Sequence, residues 1–217
     1  MLLTRRDFHR LFLGVLGAAL LPNAAQAELV EGRHWRAITP PRPGSVPGKI
    51  EVLEFFSYGC PHCADLNPLI KSWAERLPQD VAFRRVPVAF GRAAWTSLAR
   101  LYFALELAGD LGRLDQAVFL AVNKERRNLF TEQAVLAWLS GQGVDTAAYA
   151  SHFGSFAVET QVAQSDALVR DFQVDAVPTI TVDGRYVVLG REAKSLPDLL
   201  RIADGLIAKA RAETKPG

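Results

Sequence analysis

Ile50-Glu51-Val52-Leu53-Glu54-Phe55-Phe56-Ser57-Tyr58-Gly59-Cys60-Pro61-His62-Cys63 contains both cysteines of the 217-residue chain. Its first eight residues form a β-rich apolar run with Glu54 inside it, and Tyr58-Gly59 ends the run. After Cys60 the apolar positions Leu66, Leu69, Ile70, Trp73 and Leu77 recur at helical spacing. Cys60 therefore stands at a strand-to-helix junction. Pro61 falls at the first helical position, where a missing N–H costs nothing, which makes Cys60 the N-cap and turns its sulfur toward the free amides of the first turn. Pro68 is expected to kink the helix one to two turns later.

Two cysteines this close are poor material for a staple. A disulfide between Cys60 and Cys63 closes a four-residue loop and removes only about 2 kcal/mol of unfolded-state freedom. A structural zinc site needs four ligands, and beyond the motif residues 28–217 offer only His34 and His152 as further Cys or His. No metal is expected. Exchange chemistry at a catalytic dithiol is the reading that remains, with an inert local disulfide as its alternative.

The composition, 49% hydrophobic and 22% charged with 16 Gly and 12 Pro, excludes a disordered, collagenous or disulfide-rich miniprotein. Residues 1–27 hold Arg5, Arg6 and Arg10 against Asp7, which leaves 22 basic and 22 acidic residues in the remainder. A neutral body without a long basic run gives no electrostatic case for nucleic acid or an anionic membrane as partner. Residues 1–27 read as an address: Thr4-Arg5-Arg6-Asp7-Phe8, an apolar run from Leu11 to Leu21, then the small-x-small site Ala25-Gln26-Ala27. Eleven helical residues span about 16 Å, too short for a membrane core of ~30 Å. The paired arginines look like a twin-arginine signal, although His9 occupies a usually apolar position, so the general secretory route stays open. The mature chain is expected to begin near Glu28 and to work in an oxidising compartment outside the cytoplasm.

A strand, C-x-x-C at a helix start, a proline eight residues after the first Cys and a much later Val177-Pro178-Thr179 before a strand together resemble the thioredoxin superfamily. Pro61-His62, Leu53-Glu54-Phe55-Phe56-Ser57 and Ser155-Phe156-Ala157-Val158 resemble more narrowly the DsbA family of exported thiol:disulfide oxidoreductases. The resemblance covers nearly all of residues 28–217. It implies an α/β, thioredoxin-like fold with an inserted all-helical domain: residues 28–91 and 174–217 form the thioredoxin-like domain, 92–173 the helical insertion, and 1–27 a cleaved signal peptide.

The remaining patterns are read against that fold. Residues 33–38, 50–57 and 81–88 are strand candidates; Thr179–Val182 and Tyr186–Leu189 flank the hairpin signal Asp183-Gly184-Arg185. Helical patterns run at roughly 94–108, 112–124, 131–140, 145–153 and 156–172. Ser195-x-x-Asp198 resembles a capping box opening a last helix through about Ala210. Thr39–Gly48, with Pro40, Pro41, Pro43 and Pro47, reads as a linker inside the domain.

The chemistry needs an acidified Cys60, because an ordinary thiol of pKa ~8.5 is only about 3% ionised at pH 7. A helix N-terminus contributes up to about 2 kcal/mol, roughly 1.5 pKa units. Amide hydrogen bonds and a donor or cation from His62 are expected to add the rest. Cys63, one turn inside, is the natural resolving thiol and the less exposed of the two. Pro61 starts the helix and is compatible with tuning the pair. The resemblance implies that Glu54 relays a proton to or from Cys63, with Arg85 as its basic partner; a structural ion pair is the alternative for Glu54, and the adjacent Arg84 points to the other face. It also implies that Val177-Pro178 is a cis-proline site packed against the disulfide, leaving the backbone of Val177 for an extended substrate. Trp95, Tyr102, Phe103, Phe119 and Trp138 read more readily as core than as a groove, and none is assigned to one.

The expected function is disulfide donation from Cys60–Cys63 to reduced, unfolded exported proteins in the periplasm. No cofactor beyond that redox-active disulfide is required. The resemblance implies reoxidation by a DsbB-like, quinone-linked membrane protein. Two alternatives remain: a disulfide isomerase or reductase of the same fold, and a chaperone-like binder of unfolded exported chains. Isomerases of this kind usually carry an N-terminal dimerisation domain, whereas only about 22 residues separate Glu28 from the first core strand here. A monomer is expected.

Overall fold

The computed structural model describes residues 29–214. The expected signal peptide therefore lies outside the described residues. Five strands form one mixed sheet: β1 (Trp35–Ala37), β2 (Ile50–Phe56), β3 (Val81–Pro87), β4 (Thr179–Val182) and β5 (Tyr186–Val188), in the order β1-β5-β4-β2-β3. β2 runs parallel to β3 and antiparallel to β4. Every residue of β2 is buried, because helices cover both faces of the sheet.

Among the described residues seven α-helices complete the fold: α1 (Pro61–Ala74), α2 (Ala93–Leu107), α3 (Leu111–Asn123), α4 (Glu132–Ser140), α5 (Thr146–Phe153), α6 (Phe156–Asp171) and α7 (Leu196–Thr214). The architecture is the expected α/β, thioredoxin-like one, with α2–α6 lying in sequence between β3 and β4. Among the described residues no helix is long and apolar enough to cross a membrane.

Three apolar clusters hold these layers together. One face of the sheet packs Val52, Ile180 and Val182 with Leu66 and Ile70 of α1 and Leu206 and Ile207 of α7. The other sets Leu53, Phe55 and Val86 against Phe172, which follows α6. The third runs from Phe56, Tyr58, Cys60 and Cys63 into α2, α3, α5 and α6, so the cysteines sit where the sheet's end meets the helical segments. Tyr102, Phe103 and Phe119 are buried in it, as their core reading anticipates.

The hairpin after β4 explains one glycine. Asp183 and Gly184 have φ of 57° and 59°, and a Cβ on Gly184 would meet the Arg42 carbonyl oxygen at 1.9 Å. Arg42 N–H donates to that glycine's carbonyl at 2.9 Å, which ties the proline-rich segment to the hairpin. At α7 the expected capping box takes another form: the Asp198 carboxylate accepts from Lys194 N–H at 2.9 Å and from the Ser195 hydroxyl at 3.2 Å, and the helix continues to Thr214. Strand β1 is shorter than its pattern, three residues rather than six, because only Trp35–Ala37 find partners on β5.

Candidate active site

Cys60 has extended backbone angles, φ −101° and ψ 116°, and Pro61 follows as the first residue of α1. Cys60 is the N-cap, as expected from sequence, and its sulfur faces the first-turn amides without closing a full cap hydrogen bond. As a thiol it donates instead to the Val177 carbonyl oxygen, 3.4 Å away. Both cysteines are free thiols here; Cys60 is 7% exposed and Cys63 fully buried.

The two sulfurs are pushed in opposite directions. The Cys60 thiol is pushed down to about 6, chiefly by a hydrogen bond from the Cys63 thiol. Burial works against this, while the backbone N–H groups of Cys63 and His62 and the charge of His62 support it. The sequence reading credits amides and His62 and misses the largest donor, Cys63. Its own thiol is pushed up, by donation to Cys60, by burial and by the charge of Cys60. The outer sulfur holds the negative charge and the inner one holds the proton.

Beneath the pair lies a buried ionic network. Arg85 Nε donates to Glu54 Oε2 at 2.6 Å and Arg85 Nη1 to Asp115 Oδ1 at 2.8 Å. Burial raises the Glu54 pKa, and the Arg85 charge opposes this less strongly. Glu54 Oε1 and Arg85 Nη2 are buried without a hydrogen-bond partner. The guanidinium lies 3.9 Å from the Phe56 ring centroid. Arg84, on the other face of β3, pairs instead with Glu51 at 3.7 Å. Asp115, on α3, also accepts from Tyr58 O–H at 2.9 Å and Asn67 Nδ2 at 2.9 Å, with Lys71 Nζ at 3.5 Å. Sequence reasoning misses Asp115, Tyr58 and Asn67 as parts of this network. The available signal was a charge at position 115 within the apolar stripe Leu111, Leu114, Val118 and Val122, the same signal that marks Glu54 in its strand.

Val177-Pro178 is a cis peptide bond, and the Val177 carbonyl faces Cys60. An apolar cavity of about 270 Å³ opens beside it, lined by His62, Leu66, Pro178, Ile180, Leu196 and Leu199 among others. The structure thus brings Cys60, Pro61, His62, Cys63, Val177 and Pro178 together, with Cys63 on the inner side and Glu54 buried in β2. Among the described residues no group of three or more His, Cys, Asp or Glu side chains is arranged to hold a metal ion. The arrangement is suited to thiol exchange: an acidic outer sulfur beside the Val177 carbonyl, with proton-binding groups behind the inner sulfur.

Comparison with known proteins agrees with this chemistry. A family model of the DSBA-like thioredoxin domain matches residues 51–200. The chain is 39% identical over 199 residues to the thiol:disulfide interchange protein DsbA of Pseudomonas aeruginosa, covering 91% of this chain and 94% of that protein. It is 38% identical over 208 residues to the protein of that name from Bordetella parapertussis, covering 94% and 97%. The crystal structure of Pseudomonas aeruginosa DsbA superposes with a TM-score of 0.82 at 38% identity, over 87% of this chain and 97% of that one.

Proposed function

Because this chain belongs to the DsbA family, defined by its DSBA-like thioredoxin domain, and is a thiol:disulfide oxidoreductase, we propose that it acts as a periplasmic oxidase, a monomer that donates the Cys60–Cys63 disulfide to reduced, unfolded exported proteins. In the oxidised protein a client thiolate attacks Cys60 Sγ. A client–Cys60 disulfide forms, the Cys60–Cys63 bond breaks, and its electron pair leaves on Cys63. Cys63 then takes up a proton, as its raised pKa favours. We assign the supply of that proton to Glu54, whose charge acts on Cys63 and whose burial favours its protonated form. A second client thiolate attacks the client sulfur of the mixed disulfide and expels Cys60 as a thiolate. The client loses two electrons and the protein gains them.

The observation that carries this direction is the Cys60 thiol held down to about 6. A stabilised thiolate is a good leaving group and favours the reduced protein, which makes the disulfide a strong oxidant. Val177 and Pro178 offer an extended client a backbone edge, and the apolar cavity beside Pro178 suits its apolar side chains. Pro61 and His62 tune the pair from the first turn of α1. The reaction draws on the protein's own disulfide, with no metal or organic cofactor, and a quinone-linked DsbB-like membrane protein restores it. Residues 1–27 direct export and are removed near Glu28.

Mixing the oxidised protein with a reduced, unfolded test protein checks the reading: client disulfides should appear as Cys60–Cys63 is lost. Cys60→Ser should abolish turnover, and Cys63→Ser should accumulate mixed disulfides through Cys60. Trapping through Cys63 in the Cys60→Ser variant would reverse the nucleophile assignment. No oxidation by the wild type, with aggregation of unfolded chains still suppressed by the doubly substituted Cys60→Ser/Cys63→Ser protein, would establish a binder instead.

A further inference from the structure

A second and larger cleft, about 670 Å³, reaches the same helix start from the helical segments and shares no lining residue with the apolar cavity. Gly59, Pro61 and Trp95 line it on the cysteine side, and Lys124, Arg126 and Arg127 come from the segment after α3. Trp95 is held against the backbone just before Cys60: a Cβ on Gly59 would lie 2.6 Å from the indole nitrogen, so only a glycine lets the ring approach this closely. Arg92 stacks on the same ring, its guanidinium carbon 4.8 Å from the centroid.

The charge of this cleft is one-sided. No Asp or Glu lines it. Arg127 is paired with Glu125 at 2.6 Å, whereas Lys124 and Arg126 are exposed and form no ion pair among the described residues. Residues 28–217 carry equal numbers of basic and acidic side chains, so the positive cleft is a local concentration and not a reflection of net charge. Phe130 and Trp95 add apolar surface against which the stem of a longer side chain can lie.

From the juxtaposition of Lys124 and Arg126 with Gly59, Trp95 and Pro61 beside Cys60, we infer that this cleft binds acidic side chains that neighbour the reacting cysteine of a reduced client polypeptide, selecting clients by charge. The inference rests on the oxidase reading. A client joined to Cys60 has its next residues within about 3.4 Å per residue of that sulfur. Tethering therefore presents them to the cleft at high effective concentration, and a weak charge contact suffices to discriminate.

The test uses two reduced peptides, each with two cysteines, identical except for Asp-Glu or Asn-Gln beside the first cysteine. Their second-order rates of oxidation are compared for the wild type and for the Lys124→Gln/Arg126→Asn double variant. Asn suits position 126, where φ is 57°. Dividing the wild-type ratio by the variant's ratio cancels the intrinsic effect of the acids on the peptide thiol. The acidic-to-neutral ratio should be about fivefold higher in the wild type at low salt, and should fall to the variant's value at high salt. Equal ratios in the two proteins, with both peptides oxidised, would overturn the cleft assignment and leave the oxidase reading standing. Failure to oxidise either peptide would overturn the oxidase reading and this inference with it.

Discussion

Arg85 Nε donates to Glu54 Oε2 over 2.6 Å where the two side chains are only 9% and 0% exposed. The pair is close enough for a strong ionic contact, yet burial still raises the Glu54 pKa. Burial pulls the acid toward its neutral form while the guanidinium pulls it toward the charged one, and the proposed relay and a purely structural ion pair differ in which of the two prevails during turnover.

Glu54→Gln tests that distinction. Turnover should fall by about 100-fold, the lower end of general acid–base contributions, with little change in client affinity. Stability carries a sign. A carboxyl raised in the folded state favours folding at low pH, and that advantage is lost as pH rises through the folded pKa. Arg85 keeps Asp115 as a partner in the variant. The melting midpoint of Glu54→Gln should therefore match or exceed the wild type near pH 7, with the difference shrinking toward pH 4. A variant that is less stable than the wild type near pH 7, by a margin that disappears as pH falls and Glu54 protonates, would identify a structural ion pair.

Asp115 accepts from Arg85, Tyr58 and Asn67, so Asp115→Asn should cost about 3 kcal/mol, as for one partner removed from a buried charged network. Its charge also helps to raise the Glu54 pKa. Without it Arg85 acts on Glu54 alone, and the alkaline limb of the turnover profile, where Glu54 loses the proton it supplies, should move to lower pH. Denaturant melts and a pH–rate profile measure the two effects, and an unmoved limb would confine Asp115 to stability.

Thiolate absorbance of the reduced protein should titrate with a midpoint of about 6. Because the Cys63 thiol is the largest cause of that value, Cys63→Ala should raise the midpoint more than His62→Ala does, and Cys63→Ser, which keeps a donor, should fall between wild type and Cys63→Ala. A larger effect from His62→Ala would return the main role to the histidine.

The same pKa makes stability depend on redox state and pH together. The Cys60 thiol is pushed down to about 6 in the folded dithiol, against ~8.5 in an unfolded chain. The thiolate therefore stabilises the reduced fold fully above the unfolded value, and the gain disappears as pH falls through 6. It amounts to about 1 kcal/mol at pH 7 and about 3 kcal/mol near pH 9, whereas a four-residue disulfide loop contributes about 2 kcal/mol to the oxidised form. Melts of the two forms should cross between about pH 7 and 8, the reduced protein being the more stable just above the crossing, until ionisation of Cys63 in the unfolded chain, whose pKa is raised in the fold, offsets the gain at higher pH. A gap that stays constant from pH 6 to pH 9 would show that Cys60 is not acidified.

Much of the site is legible in the chain because its parts are local. The strand 50–56, the proline at the first position of α1, the inner place of Cys63 and the hairpin at Asp183-Gly184 depend on periodicity and turn chemistry within a few residues. Glu54 is visible as a charge in an apolar strand. The resemblance to a known family adds the nearness of Val177-Pro178 to Cys60, which no local pattern contains.

The order of forces on Cys60 is of a different kind. A motif shows which donors exist, while their ranking depends on how the Cys63 thiol and the amides face one sulfur within a shared core. Glu54 meets Arg85 across 31 residues of sequence, and Cys60 meets the Val177 carbonyl across 117. Asp115 joins the first network from α3, and Trp95 closes on Gly59 from α2. Backbone propensity acts between near neighbours and can be read along the chain. Desolvation and charge coupling act through space, so they take their values only once the sheet and the helical segments have packed around the cysteines.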